Sequence, residues 1–195
     1  MTTTDFALHL MLGSILIVGA YQFYFWCQRN PFRPARELRL ALDDRIPYWP
    51  AWVWPYSFLY YPAILYTTWV VQSSREFVYL AASFLGLLAM QMVFFLFFPV
   101  VTPAAWRDIN GQRTWSERFL AFVQRLDARS NSFPSMHTSV AMLTALYLHP
   151  HVGTWVFAFP VVIALSCVFT KQHYLVDLPA GAALGWVAYH AFVVA

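Results

Sequence analysis

The chain has 195 residues, of which 60% are hydrophobic, 19% aromatic and only 11% charged, with a formal net charge of +3. Soluble domains carry about a quarter charged residues, so a water-soluble core is excluded as the main architecture. A nucleic-acid module is excluded as well, because the arginines are not interleaved with exposed aromatics in a soluble stretch.

In chain order, four stretches contain no Asp, Glu, Lys or Arg: Phe6 to Gln28, Ile46 to Ser74, Phe77 to Trp106 and Ser130 to Thr170. A bilayer crossing needs about 20 such residues. The first three stretches each hold one span. The fourth holds two if it turns at His149-Pro150-His151-Val152-Gly153, and a sixth runs from Tyr174 to the end. The expected spans are 6–26, 52–71, 77–101, 135–149, 152–170 and 174–195, in a single domain over 1–195. Met1-Thr2-Thr3-Thr4-Asp5 has no basic region and no cleavage site follows it, so the first span is expected to be retained. Between the first two spans, Asn30 to Pro55 is rich in proline and reads as an interfacial or re-entrant segment, with Tyr48, Trp49, Trp52, Trp54 and Tyr56 as an aromatic belt. Cys27 and Cys167 border apolar segments, match no metal or redox spacing, and read as packing residues.

Six spans place the segments 27–51, 102–134 and the turn near 171 on one face. That face carries eleven of the twelve basic residues, leaving Arg75 on the other. The positive-inside rule makes it cytoplasmic, although a phosphate-handling site also recruits arginines to its own face.

Chemistry concentrates near the C-terminal spans. Asp177 is the one acidic residue inside an expected span, and a buried carboxylate is costly unless paired or functional. On a helix, His173 would share its face at i and i+4. The carboxylate could then fix one imidazole nitrogen and leave the other free to attack. Ser132-Phe133-Pro134-Ser135-Met136-His137 opens the fourth span, with Pro134 suited to a first turn and Ser132 or Ser135 to a cap. The amides of such a helix start bind anions, phosphate included. Two histidines and a carboxylate can also bind zinc. Lys171 and the phosphate-suited helix start argue against that, so no metal and no cofactor are expected. His9, His149, His151 and His190 read as structural or interfacial.

The strings PSMH and KQHYLVDLPAG, both at span entrances, resemble the second and third motifs of the type 2 phosphatidic acid phosphatase superfamily. The likeness is closest to its inositol phosphorylceramide synthase branch, named for aureobasidin resistance, with the sphingomyelin synthases more distant. Asp43-Asp44-Arg45-Ile46-Pro47, Phe98-Pro99 and Pro103 add supporting matches. The resemblance implies a metal-independent, six-helical enzyme acting on lipid phosphates. It implies His173 as the phosphorylated nucleophile, Asp177 as its orienting carboxylate, His137 as the acid that protonates the leaving oxygen, and Ser135 as a phosphate holder. Two features depart from the pattern. The family's Ser-Arg pair, seven and six residues before the nucleophile, is Ser166-Cys167 here, and the lysine-containing first motif is absent. Lys171 is expected to supply the missing charge, with Arg107, or failing it Arg113, completing the phosphate clamp.

The expected protein is thus an all-α polytopic membrane protein, a six-transmembrane-helix bundle with its active site at the membrane boundary and its catalytic motifs within 134–181. Its partners are the bilayer, expected to be a bacterial plasma membrane, and a lipid phosphate substrate. The leading activity is a lipid phosphatase working through phosphohistidine. The alternatives are a phosphotransferase that passes the headgroup to an alcohol and a non-catalytic lipid-binding or transport protein.

Overall fold

The computed structural model describes residues 2–107, 114–127 and 129–194. Every apolar stretch becomes helical, and no strand forms among the described residues beyond an isolated bridge between Arg36 and Val100. Helix α1 (Thr3–Arg29) starts in a capping box. The Thr2 hydroxyl accepts from the Asp5 amide at 3.1 Å and the Asp5 carboxylate accepts from the Thr2 amide at 2.9 Å, an arrangement worth about 1 kcal/mol.

The expected span 52–71 is broken. A 3-10 turn at Pro50–Trp52 leads into α2 (Val53–Phe58), and a second helix, α3 (Tyr60–Val70), follows after Leu59. Pro62 causes the break, because it has no N–H for the Phe58 carbonyl and its ring crowds that carbonyl. Helix α4 (Ser74–Phe97) begins at Ser73, whose hydroxyl accepts from the Glu76 amide at 3.2 Å.

Within the expected loop 102–134 lies an unforeseen helix, α5 (Trp115–Leu126). It is amphipathic, with Ser116, Phe119, Leu120 and Val123 on one face and Arg118 and Arg125 opposite. Trp54 stacks on Phe119 at 5.0 Å and donates to the Ser116 hydroxyl at 3.0 Å.

Helix α6 (Met136–Val152) runs through the expected turn, with Pro150 inside it, and stops at Gly153. That glycine has φ +78°, a conformation that costs a side-chain-bearing residue about 1–3 kcal/mol. After a 3-10 turn at Thr154–Phe157 come α7 (Ala158–Phe169) and α8 (Asp177–Tyr189), and a π-helical turn ends the described chain at His190–Val194.

α1 and α4 are long and apolar enough to cross a membrane, with mean hydropathies of 1.7 and 2.2. The other apolar helices are shorter, with α6, α7 and α8 spanning 17, 12 and 13 residues. Of the six expected spans, two are matched among the described residues by a single helix long and apolar enough to cross a membrane.

Helices α6 and α8 meet backbone to backbone. A Cβ on Gly181 would lie 2.4 Å from the Ser135 carbonyl oxygen, and one on Gly185 would lie 2.3 Å from that of Ser139. Two glycines four residues apart thus let α8 rest directly on the α6 backbone, as small-residue pairs do in membrane helices.

The segments 30–50, 98–107, 129–135 and 170–176 gather at one end, tied by Phe32 N to Leu96 O (2.9 Å), Thr102 N to Arg129 O (3.0 Å), Ser132 N to Val100 O (3.1 Å) and Trp49 N to Phe169 O (2.9 Å). That clustering agrees with the expected grouping of loops.

Candidate active site

Ser135 caps α6, its hydroxyl accepting from the Thr138 amide at 3.3 Å and lying 3.1 Å from the Thr138 hydroxyl. Pro134 therefore precedes the cap instead of occupying the first turn. The Ser135 amide donates to the Asp177 carbonyl at 3.0 Å, which joins the start of α6 to the start of α8. His137 follows one residue inside α6.

His173 is not on a helix. It sits in the turn between α7 and α8, and α8 begins only at Asp177. The expected pairing nonetheless forms, with His173 Nδ1 3.2 Å from Asp177 Oδ2. Turn geometry brings them together in place of helical spacing. The amides of Gln172 and His173 both donate to the Cys167 carbonyl, at 2.9 and 3.3 Å, and the Tyr174 amide donates to Asp177 Oδ2 at 2.9 Å. The Ser132 hydroxyl also donates to that oxygen, so three donors converge on one atom of a fully buried carboxylate.

The His173 tautomer follows from its partners. Nδ1 lies 2.9 Å from the Ser132 carbonyl oxygen, which can only accept, so Nδ1 carries the proton. Nε2 is left with its lone pair. It faces His137 Nδ1 at 3.4 Å. The His137 ring packs on Tyr56 with centroids 4.3 Å apart, and its carbonyl accepts from the Tyr60 hydroxyl at 2.6 Å. Tyr56 is thus a buried wall of the site, a correction to its place in the aromatic belt, whereas Trp49 and Trp54 are exposed.

The expected cations are placed differently from the histidines. Lys171 Nζ donates to the carbonyls of Asp43 (2.8 Å) and Ile46 (2.6 Å) and lies 5.0 Å above the Trp106 ring. Burial pulls this ammonium below its ordinary value, against the opposing pull of Asp43 and Asp44. The Asp43 carboxylate, itself buried, accepts from the amides of Leu175 (2.8 Å) and Leu40 (2.7 Å). Lys171 and Asp43 therefore strap the 40–46 loop to the turn that carries His173. Arg107 is bound to Asp127, with Nη2 to Oδ2 at 3.1 Å and Nη1 to the carbonyls of Gln124 and Asp127 at 2.8 and 2.5 Å. Arg113 lies outside the described residues. Among the described residues, no lysine or arginine bonds to either histidine ring.

The sequence assigns Cys167 a packing role, yet one ring nitrogen of each histidine and its Sγ all lie within 4.8 Å of one another. The available signal was its position, six residues before His173, where the superfamily pattern carries arginine. A cavity of about 480 Å³ reaches the site from between α1, α3, α4 and α6. Tyr21, Tyr60, Phe84 and Leu88 line its length, and His137 and Asp127 line it as well.

The fold thus brings two histidine rings and a buried aspartate together at the junction of two helix starts. The family comparison is specific: the model of the PAP2 superfamily matches residues 33–191, and the chain belongs to that superfamily. Phosphatase or phosphotransferase chemistry is the activity this membership points to. No curated protein and no solved structure matches the chain.

Proposed function

We propose that this protein is a membrane-embedded lipid phosphatase that works through a phosphohistidine at His173. The observation that carries the reading is the His173 ring, whose Nδ1 is held by Ser132 and Asp177 while Nε2 points its lone pair at His137. His173 Nε2 attacks phosphorus, the bond from phosphorus to the lipid oxygen breaks, and His137 delivers a proton to that oxygen. Water then gives a proton back to His137 and its oxygen attacks the phosphohistidine, which frees phosphate and restores His173. The 3.4 Å between the rings fits a weak hydrogen bond and not a phosphoryl group, so the rings part when substrate enters.

Ser135 and the amides at the start of α6 hold the phosphate oxygens. Lys171 and Arg107, engaged elsewhere, lend positive potential across the site instead of direct contacts. Their place in the reaction is electrostatic and needs no metal.

Lipid as the substrate class is supported by surfaces as well as by family. Val18, Ile15, Val78 and Trp69 are each at least 60% exposed, and such apolar area is stable against lipid tails and not against water. The helices would then form six crossings, the short ones completed by their 3-10 and π turns, with α5 lying in the interface. The cavity takes the lipid tail and presents its headgroup at His137. The site end, which holds every described lysine and arginine except Arg75, would face the cytoplasm of a bacterial plasma membrane.

A phosphotransferase of the inositol phosphorylceramide synthase kind is the second reading, favoured by the KQHYLVDLPAG string and by Cys167 in place of the phosphatase arginine. Offering purified protein a panel of lipid phosphates and phosphodiester lipids, with and without alcohols such as inositol, separates the two. Phosphate release without alcohol supports hydrolysis, and exchange only with an alcohol supports transfer. Neither outcome on any lipid leaves the non-catalytic alternative.

A further inference from the structure

We propose that His137, Cys167 and His173 form a binding site for a soft divalent cation such as Zn²⁺, and that occupancy blocks the reaction. Two imidazole nitrogens bound to a tetrahedral zinc at about 2.0–2.1 Å lie about 3.4 Å from each other. His173 Nε2 and His137 Nδ1 are separated by 3.4 Å, longer than an ordinary nitrogen hydrogen bond and equal to that spacing. Cys167 Sγ lies within 4.8 Å of one nitrogen of each ring, so an approach of about 1 Å brings the three ligand atoms to the separations set by a zinc–sulfur bond of about 2.3 Å.

The surroundings suit a ligand set. A metal-bound histidine usually donates its other N–H to a carboxylate or carbonyl, which fixes the ring and strengthens the ligand. His173 Nδ1 already has both, in Asp177 and the Ser132 carbonyl. No described lysine or arginine bonds to either ring, because Lys171 and Arg107 are engaged with the loops, so a cation meets no contacting charge of its own sign. His137 also lines the cavity, which leaves a fourth position for water. Three protein ligands and one open position make a three-plus-one zinc site, and the thiolate selects Zn²⁺ over Mg²⁺ or Ca²⁺.

The proton count is definite. With both rings neutral, Cys167 releases its thiol proton to solvent and His137 moves its one proton from Nδ1 to Nε2, so one proton leaves per ion bound. The ion takes the Nε2 lone pair of His173. Only the inhibitory part of the proposal rests on the phosphohistidine reading, since binding is measurable without turnover.

The test uses the full-length protein in detergent with Co²⁺ as the probe. Co²⁺ is expected to give a thiolate-to-cobalt charge-transfer band that Zn²⁺ removes and Mg²⁺ does not. The band should survive Cys27→Ala and vanish in both Cys167→Ser and Cys167→Ala. Absence of the band in the wild type, or its persistence in Cys167→Ala, overturns the site. Labelling from a radioactive lipid phosphate should then be blocked by Zn²⁺. Each Cys167 variant, compared with its own zinc-free rate, should need at least about tenfold more Zn²⁺, since loss of an outer-shell partner alone costs that much. Labelling that requires Zn²⁺ would overturn the inhibitory role. Complete absence of labelling beside an intact cobalt band would count against the phosphohistidine and leave the metal site standing.

Discussion

The two ends of the bundle are held together by different means. At the site end the bonds join residues far apart in sequence: Lys171 to Asp43, Leu175 to Asp43, and Gln28 to Asp127. At the opposite end the polar bonds are local, such as Gln72 to Glu76 and the Ser73 cap, and the longer-range contacts are packed rings, with His9 on Phe77 at 4.3 Å and Phe6 against Trp69 at 5.6 Å. Local bonds form with a helix end and hold little else in place. Long-range bonds fix one loop against another, which is what a two-histidine site with ångström tolerances requires.

Glycine substitutions break the comparison most sharply. Gly181→Ala puts a methyl group 2.4 Å from a backbone oxygen of Ser135, which cannot rotate away, so α8 must shift off α6. A stability loss of about 3 kcal/mol is expected, together with a large fall in His173 labelling, because His137 is carried by α6 and His173 leads into α8. Gly153→Ala at the other end has nothing within 4 Å but an unfavourable φ of +78°. It should cost about 1–3 kcal/mol and leave labelling per folded molecule unchanged. Thermal denaturation beside a labelling assay checks both, and equal labelling losses in the two variants would erase the distinction between the ends.

Next in size is the strap. Asp43→Ala leaves the Leu175 and Leu40 amides without their acceptor, at about 2 kcal/mol in all. It should slow labelling by loosening the His173 turn. Asp43→Asn, which keeps an acceptor oxygen, should recover part of the rate. Lys171→Ala removes two strap bonds and a positive charge together, so its labelling should fall further than that of Asp43→Ala. Wild-type labelling in a folded Lys171→Ala protein would take Lys171 out of the mechanism.

A smaller effect is expected of Tyr60→Phe, which loses one hydrogen bond to the His137 carbonyl at about 1 kcal/mol. The smallest is expected of His151→Ala, exposed at the far end, within about 0.5 kcal/mol and with no change in labelling. A labelling defect in His151→Ala would mean that the far end is coupled to the site.

The apolar helices were legible because charge-free runs need no partner to be recognised. The pairing of His173 with Asp177 was legible for a reason that proved incomplete. His173 and Asp177 were placed on one helix, but Pro179 is tolerated only in a first turn, and a helix through His173 would crowd its ring against the Leu175 carbonyl. That signal was in the sequence. The start of α5 was partly legible too, from Thr114 and Glu117, which form a capping box, whereas the burial of Tyr56 was not. The engagement of Lys171 with Asp43 and of Arg107 with Asp127 was not. Both depend on which loops meet after the helices pack, and nothing local to Lys171 indicates a carbonyl 128 residues away.

The central claim is that His173 carries the phosphoryl group while His137 shuttles the proton. The direct measurement is incorporation of labelled phosphate from a lipid phosphate, quenched in alkali, which preserves phosphohistidine, followed by mapping of the labelled residue. The account predicts label on His173 in the wild type, none in His173→Ala, and slowed formation and breakdown in His137→Ala. Label that persists in His173→Ala, or that maps to His137, would contradict it.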